Sequence, residues 1–370
     1  MILPAVAAIL LLAGFAVFWR LPSCRDDEPP GDIPDLSVIV PARNEEGSVG
    51  RLVDSLRRQD EPPAEILVVD DGSTDATAAE AEAFGARVLA SRPLPRGWRG
   101  KTWACHQGAQ AASGGLLLFV DADVWFEDGG LRRLLATWSL RRGALSVAPF
   151  HATRRLYEGL SAFFNLSMVI GVGAFTVLGR RRRPSGMFGQ LLLVGRESYR
   201  RSGGHSAVAG RILENMFLAR RLNRMEIPVE CRGGRGTASM RSYPHGLREL
   251  AEGWSKAFIS GTASVPAAVM VPTVAWMAGL VVCFSMPLLQ AVSPLAGKAW
   301  LAAYPLAAVQ VGLMLRRVGR FHPLSWLAYP LALLFFFGLQ AHAGLRRARG
   351  GAVSWKGRSI SAAEGRRDAV

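Results

Sequence analysis

Three short stretches of the chain carry side chains able to do chemistry: PARNEE (41–46), DDGSTD (70–75) and DAD (121–123). Two carboxylates one residue apart, Asp121 and Asp123, suit a hard divalent cation such as Mg2+, which takes one or two carboxylates and completes its shell with phosphate oxygens. If the preceding strand continues through them, both point to one side; the competing reading is a helix cap, a common use of Asp. In DDGSTD, Gly72 permits a tight turn and Ser73, Thr74 or Asp75 can cap a helix. That leaves Asp70 and Asp71 to accept hydrogen bonds from a base N–H or a sugar hydroxyl. PARNEE adds Arg43, Asn44 and Glu45, with Arg43 either pairing with these acids or reading a ligand. A fourth stretch, PRGWRGKTWACHQGA (95–109), places Arg96, Arg99 and Lys101 before a helix expected from Thr102. Cations at a helix N-terminus favour an anion such as a diphosphate, although a solvated basic loop reads the same. The phosphate-loop spacing G-x-x-x-x-G-K-[ST] is absent.

These stretches must be held together by the elements before them. LSVIV (36–40), EILVVD (65–70), ARVLA (86–90) and LLLFV (116–120) read as strands. Helical spacing runs through 47–58, 74–84 and 102–112. This alternation predicts an α/β fold with a parallel sheet covered by helices on both faces. In such sheets ligands bind beyond the carboxyl ends of the strands, which is where all three acidic turns fall. Farther on, 189–205 reads as strand, turn and short helix, and 206–223 as a helix.

Composition sets the surroundings. Half of the 370 residues are hydrophobic, the formal charge is +15, and only 4 of the 44 basic residues are lysine. No zinc-finger spacing or basic helix with interleaved aromatics points to nucleic acid, so the basic excess is matched to membrane. The four cysteines are scattered, without C-x-x-C pairs, and indicate neither disulfides nor zinc. Residues 2–19 form an uncharged run of 18, read as an N-terminal membrane anchor (1–20) rather than a cleaved signal. Arg20 and Arg25 follow it and place that side in the cytoplasm. A Pro-rich linker (23–35) precedes the catalytic stretch, and apolar segments 264–292, 295–315 and 323–345 follow it. The expected division is therefore an anchor at 1–20, a catalytic domain at 34–255, membrane helices at 258–345 and a basic tail at 346–370. Three full spans after a cytoplasmic domain leave that tail outside, against the positive-inside rule, so one segment is expected to be re-entrant or interfacial. The apolar stretch 156–178 and the run Arg180 to Arg183 are expected at the bilayer and its headgroups.

VIVPARNEE, VVDDGSTD and LLFVDADV, in that order, resemble the family-2 glycosyltransferases of the GT-A fold, a nucleotide-sugar-binding Rossmann-like domain, over roughly residues 36–255. GWRGKTWACHQGA, GQLLLVGRESYRRSGGH and WKGR are similar to the membrane-bound carotenoid-acid (diaponeurosporenoate-type) glycosyltransferases. The resemblance implies an inverting transfer from a nucleotide-sugar donor, usually UDP-linked, to a lipid or carotenoid-type acceptor at the cell membrane, with a multi-pass chain and a cytoplasmic catalytic domain. It implies donor contacts at Pro41, Arg43, Glu45, Asp70, Asp71, Lys101 and Asp121, and Mg2+ or Mn2+ on Asp123 and Asp121. The family commonly carries Glu-Asp on a later helix, the Asp serving as base; here the pair is Glu214 and Asn215, which leaves Glu214 as the catalytic candidate. Processive polysaccharide synthases carry Q-x-x-R-W, whereas this chain has LRELAEGW with Gly253 before Trp254. That favours single transfer over the alternative of a polysaccharide synthase. A catalytically inactive membrane scaffold is the other alternative, and Asn215 is its support.

Overall fold

The computed structural model describes residues 2–29, 31–179, 183–211, 213–261, 265–289, 294–348, 353–355 and 358–360. Most of the expected basic tail and Arg180 to Arg182 lie outside these. The chain groups into two compact units, one of Met1–Leu21, Ala152–Arg182 and Tyr243–Val353, the other of Pro22–His151, Arg183–Ser242 and Ser354–Val370.

In the first unit, α1 spans Ile2–Val17. The second unit then runs β1 (Leu36–Ala42), α2 (Val49–Arg57), β2 (Glu65–Asp70), α3 (Thr77–Ala83), β3 (Arg87–Ala90), α4 (Gly100–Ala111), β4 (Leu116–Val120), β5 (Val124–Phe126), α5 (Gly130–Ser139), β6 (Ala144–Ala148) and β7 (Phe150–Ala152). After α6 (Ala162–Gly171) of the first unit come β8 (Leu191–Gly195), α7 (Arg196–Arg201), α8 (Glu214–Arg224), β9 (Val229–Gly233) and β10 (Ala238–Met240). The first unit resumes with α9 (Leu247–Gly261), α10 (Ala267–Ser285), α11 (Pro294–Val318), α12 (Leu324–Leu327) and α13 (Tyr329–Ala348).

The main sheet has seven strands in the order β3-β2-β1-β4-β8-β6-β9. The first four are parallel, as the βα alternation predicts, with Ile39 opposite Leu67 on one side and Phe119 on the other. β8 departs from this and lies antiparallel between β4 and β6. A strand buried on both faces is apolar whichever way it runs, so LLLVG carries no sign of direction. The period of two divides the core. Val38, Val40, Ile66, Val68 and Leu118 pack with α2 and α5 through Leu52, Leu56 and Leu134. Ile39, Leu67, Leu117 and Phe119 face α4 and α8 through Cys105, Ala109, Leu218 and Leu222. β10 pairs antiparallel with β5 and parallel with β7 beside this sheet.

Three local expectations are corrected. The strand does not continue through DAD: β4 ends at Val120, and Val124 N–H donates to the Asp121 carbonyl (3.1 Å), closing a turn. Strand alternation therefore does not govern Asp121 and Asp123. α3 begins at Thr77, since Ser73 and Thr74 are tied into the preceding turn through Asp70 and Asn44. The helix expected over 206–223 becomes a 3-10 turn at Gly204–Val208 and α8 from Glu214, with Gly210 in the break.

In the first unit, α1 packs tightly on α10. A Cβ at Gly14 would lie 2.4 Å from the Trp276 ring, and one at Gly279 would lie 2.7 Å from Leu10 Cβ. Gln310 of α11 accepts from Trp276 Nε1 (2.9 Å) and donates to the Leu11 carbonyl (2.7 Å), so its buried amide is satisfied. Trp254 stacks on Phe164 (4.9 Å) and donates to Ser161 Oγ (3.0 Å). Gly253 is covered by Tyr243, whose Cε1 would sit 2.1 Å from an added Cβ. Among the described residues, one helix is long and apolar enough to cross a membrane, at Ala267–Leu288, and Ala5–Val17 is a shorter apolar one.

The close seat of α4 on β1 and β2 generates a stability prediction. A Cβ at Gly108 would lie 2.4 Å from Ile39 Cγ2 and 3.1 Å from Val69 Cγ2. Gly108→Ala is expected to cost about 1–3 kcal/mol through overpacking, read as a lowered thermal unfolding midpoint of the purified protein.

Candidate functional site

The site is built at the carboxyl edge of the parallel strands. The turns after β1 and β2 are laced together: Asp71 N–H donates to the Ala42 carbonyl (2.8 Å), Asn44 N–H to Ser73 Oγ (3.0 Å), Thr74 N–H to Asn44 Oδ1 (2.9 Å) and Glu45 N–H to Thr77 Oγ1 (2.8 Å). Arg43 reaches across and donates from Nη1 to the Asp71 carbonyl. Asp70 accepts the Ser73 N–H (3.1 Å) and its hydroxyl, which closes the turn at Gly72, where φ is +71°. Asn44 stands at φ +52°, a conformation Asn tolerates better than most side chains. The carbonyl of Asp71 thus receives Arg43, and the carboxylate of Asp70 has a structural task.

The third turn is positioned differently. Because β8 is antiparallel to β4, its start meets the end of β4: Val120 is opposite Leu191, and Asp121 N–H donates to the Gln190 carbonyl (3.0 Å). Lys101, in the first turn of α4, closes this corner. Its Nζ lies 2.5 Å from Asp121 Oδ1, donates to the Gly189 carbonyl (3.0 Å) and stands 3.9 Å from Glu214 Oε1. Burial opposes the charge of Lys101, but Asp121 and then Glu214 outweigh it and hold the ammonium above its ordinary range. Glu214 is buried at the start of α8, and Asn215 Nδ2 donates to its Oε1 (2.9 Å). Asn215 Oδ1 is buried without a hydrogen-bond partner. Gly189 lies against all three groups: an added Cβ would crowd Asn215 Nδ2 at 3.1 Å and meet Glu214 Oε1 and Lys101 Nζ at ordinary contact, 3.6 Å.

These residues border a small recess lined by Pro41, Lys101, Cys105, Phe119, Asp121, Gly189, His205 and Asn215, among others. Of the candidates read from sequence, Pro41, Lys101 and Asp121 line it, and Glu214 contacts it through Lys101 and Asn215. Arg43, Glu45, Asp70, Asp71 and Asp123 lie outside its lining on the same sheet edge. Gly189, Cys105, Phe119 and His205 were given no role by sequence reasoning; the stretch GQLLLVGRESYRRSGGH, which contains two of them, was the signal available. Burial pushes the Cys105 thiol up, so it is no ready nucleophile. His205 is buried, with Nδ1 2.9 Å from the Tyr199 hydroxyl, and its ring meets Phe119 edge-on. Burial, helped by the Lys101 ammonium and His106, pushes His205 down to about 3.

Among the described residues, no group of three or more His, Cys, Asp or Glu gathers as a metal site. The carboxylates of Asp121 and Asp123, one residue apart on this turn, are the ligand type that a hard dication takes, and Asp121 is already paired with the Lys101 ammonium. The ammonium already at Asp121 indicates that this carboxylate calls for a cation.

A model of glycosyl transferase family 2 matches residues 37–155. The 4,4'-diaponeurosporenoate glycosyltransferases of two Staphylococcus aureus strains are 32% and 33% identical to the chain over 369 residues, covering 97% of the chain and of each relative. A mannosyltransferase from Pyrobaculum calidifontis, solved with GDP-Man and Mn2+, superposes with a TM-score of 0.51 at 19% identity, covering 93% of this chain and 98% of that one, and shares the fold.

His205 yields a pH prediction. An unfolded His binds a proton near pH 6.5, while the folded ring stays neutral down to about 3. Across that window the unfolded state holds more protons, so stability is intact above pH 6.5 and falls as pH drops through it. In His205→Gln, whose amide cannot charge, the midpoint of thermal unfolding should depend less steeply on pH between 6.5 and 4, whatever its value at pH 7.5.

Proposed function

Because this chain belongs to glycosyl transferase family 2, we propose that it moves a hexose, with inversion, from a UDP-linked donor to the carboxyl group of a carotenoid-type lipid. The observation that carries the acceptor is Asn215. At the place where the family resemblance leads one to expect an acidic base, the chain has an amide that cannot take a proton. An alcohol acceptor must be deprotonated as its bond forms, and a general base contributes about 10²–10⁴-fold. A carboxyl group of ordinary pKa, roughly 4, is already ionised at neutral pH. The relatives over nearly the whole chain act on a compound named as a carboxylate, diaponeurosporenoate, which supports the same reading.

In this reading the acceptor oxygen attacks the anomeric carbon from the face opposite the diphosphate, the carbon–oxygen bond to the diphosphate breaks, and the configuration inverts. The laced turns with Pro41, Arg43, Glu45, Asp70 and Asp71 hold the nucleoside. Lys101 offers positive charge to the departing diphosphate, an electrostatic contribution in a partly enclosed site. Asp121 and Asp123 would hold Mg2+ or Mn2+, which supplies further neutralisation of that group. Glu214 orients Lys101 and Asn215 rather than removing a proton.

The reading also places the protein at the cell membrane, as a multi-pass chain with its catalytic stretch, within 34–255, on the cytoplasmic side. The segments 1–20 and 258–345 serve as membrane anchors and the tail 346–370 as a basic juxtamembrane segment. Supporting this, Ile9 and Leu12 of α1, Val271 and Val274 of α10, Leu306 of α11 and Leu331 of α13 present apolar side chains outward. Large apolar side chains exposed on each of these four helices suit contact with lipid.

The test pairs a carotenoid carboxylic acid with the matched primary alcohol, both assayed with UDP-sugars and Mn2+. Transfer to the acid is expected to exceed that to the alcohol by at least about 100-fold, the low end of a missing base. Equal rates would sink the carboxylate assignment. Glu214→Gln is expected to slow both by a similar factor, about tenfold or ~1.4 kcal/mol. Loss confined to the alcohol would make Glu214 a base.

A further inference from the structure

We infer that Lys101 is a resident counter-ion occupying the cation position at Asp121, and that it is handed to Glu214 when the divalent cation enters. This rests on the reading of Asp121 as a metal ligand and adds how the site stands ready without metal. Three observations point to it. The ammonium is within 2.5 Å of Asp121 Oδ1, the place a ligated cation needs. A second carboxylate, Glu214, waits 3.9 Å away, about 1 Å beyond a charge-assisted hydrogen bond. The Gly189 carbonyl (3.0 Å) accepts from the ammonium and can hold it while its carboxylate partner changes.

The exchange follows from charge. An ammonium on Asp121 Oδ1 repels a dication entering at the same carboxylate, so arrival of the cation favours moving Nζ away. Lysine, a point charge on a flexible four-carbon stem, needs only a small rotation to do this. Glu214, already 3.9 Å from Nζ, gives it a destination, and the Asn215 amide, which donates to its Oε1, steadies the receiving oxygen. The resting corner, one ammonium among the acids Asp121 and Glu214, keeps a net negative charge that a dication can enter, and the lysine then shifts its main pairing from Asp121 to Glu214. Lys101 therefore sets a threshold: the metal alone competes poorly with it, and the metal with a diphosphate, which brings its own negative charge, competes well.

The experiment measures binding of Mn2+ to the full-length protein in detergent, from the electron paramagnetic resonance of free Mn2+, with and without UDP. Lys101→Met is expected to tighten binding of Mn2+ alone by at least tenfold and to shrink the enhancement by UDP. Glu214→Gln, which removes the destination and leaves Lys101 on Asp121, is expected to weaken it severalfold. The double variant K101M/E214Q leaves no buried carboxylate beside a missing ammonium; it is expected to match K101M and serves in its place if K101M alone does not fold. Unchanged or weaker Mn2+ affinity on loss of Lys101 overturns the exchange. Mn2+ binding that is unaffected by Asp121→Asn and Asp123→Asn overturns the metal reading and the exchange with it. Binding lost in those two variants but unchanged without Lys101 overturns the exchange alone.

Discussion

Parallel pairing of β1 with β2 and with β4 is the constraint on which the site depends. It fixes which ends of three strands lie side by side, and so brings PARNEE, DDGSTD and DAD to one edge. The alternative arrangement, with any one of these strands reversed, would send its polar turn to the opposite edge of the sheet. The apolar faces behind the edge make the register rigid, since a slip of one residue would exchange the faces of Val38 and Ile39. The helices then do local work: α4 delivers Lys101, and α8 delivers Glu214 and Asn215.

Much of this was legible in the sequence because it is local. Strand ends, the turn at Gly72 and the basic entry to α4 all show within a few residues. The pairing of Lys101 with Asp121 was not legible, although both residues were singled out, since it depends on α4 folding back over the sheet. β8 was visible as a strand but not as an antiparallel one. That direction matters, because it sets Gly189 and Gln190 against Asp121. The helix read over 206–223 began too early, because apolar spacing alone does not register the break at Gly210. Asp70 was read as a ligand contact, and its hydrogen bonds to Ser73 give it a second, structural task that the motif alone does not separate from the first.

The chemistry at the recess is one of balanced charge. Lys101 stands among two carboxylates and a carbonyl, and Asn215 meets the acid beside it with a neutral donor. An amide at Asn215, where the resemblance implies an acid, leaves this corner with one negative charge fewer, which on the proposed reading eases the approach of an anionic acceptor. Under that proposal, membership in the family and an amide at Asn215 are compatible, because the acceptor brings its own negative charge.

The ring of Tyr243 lying on Gly253 has a bearing on ancestry and on engineering. The arginine of Q-x-x-R-W would fall at Gly253, where even a Cβ would overlap Tyr243 Cε1 at 2.1 Å. A chain with this packing needs changes at both Leu250 and Gly253 to carry the polymer-making signature, and the second is blocked by the ring. It must first clear the tyrosine, which also meets the Trp254 ring edge-on and offers its carbonyl to the Tyr157 hydroxyl. A variant without that ring would lose the edge-on contact with Trp254, while the carbonyl that Tyr157 uses belongs to the backbone and would remain, so an arginine at this position comes only at the cost of packing already in place.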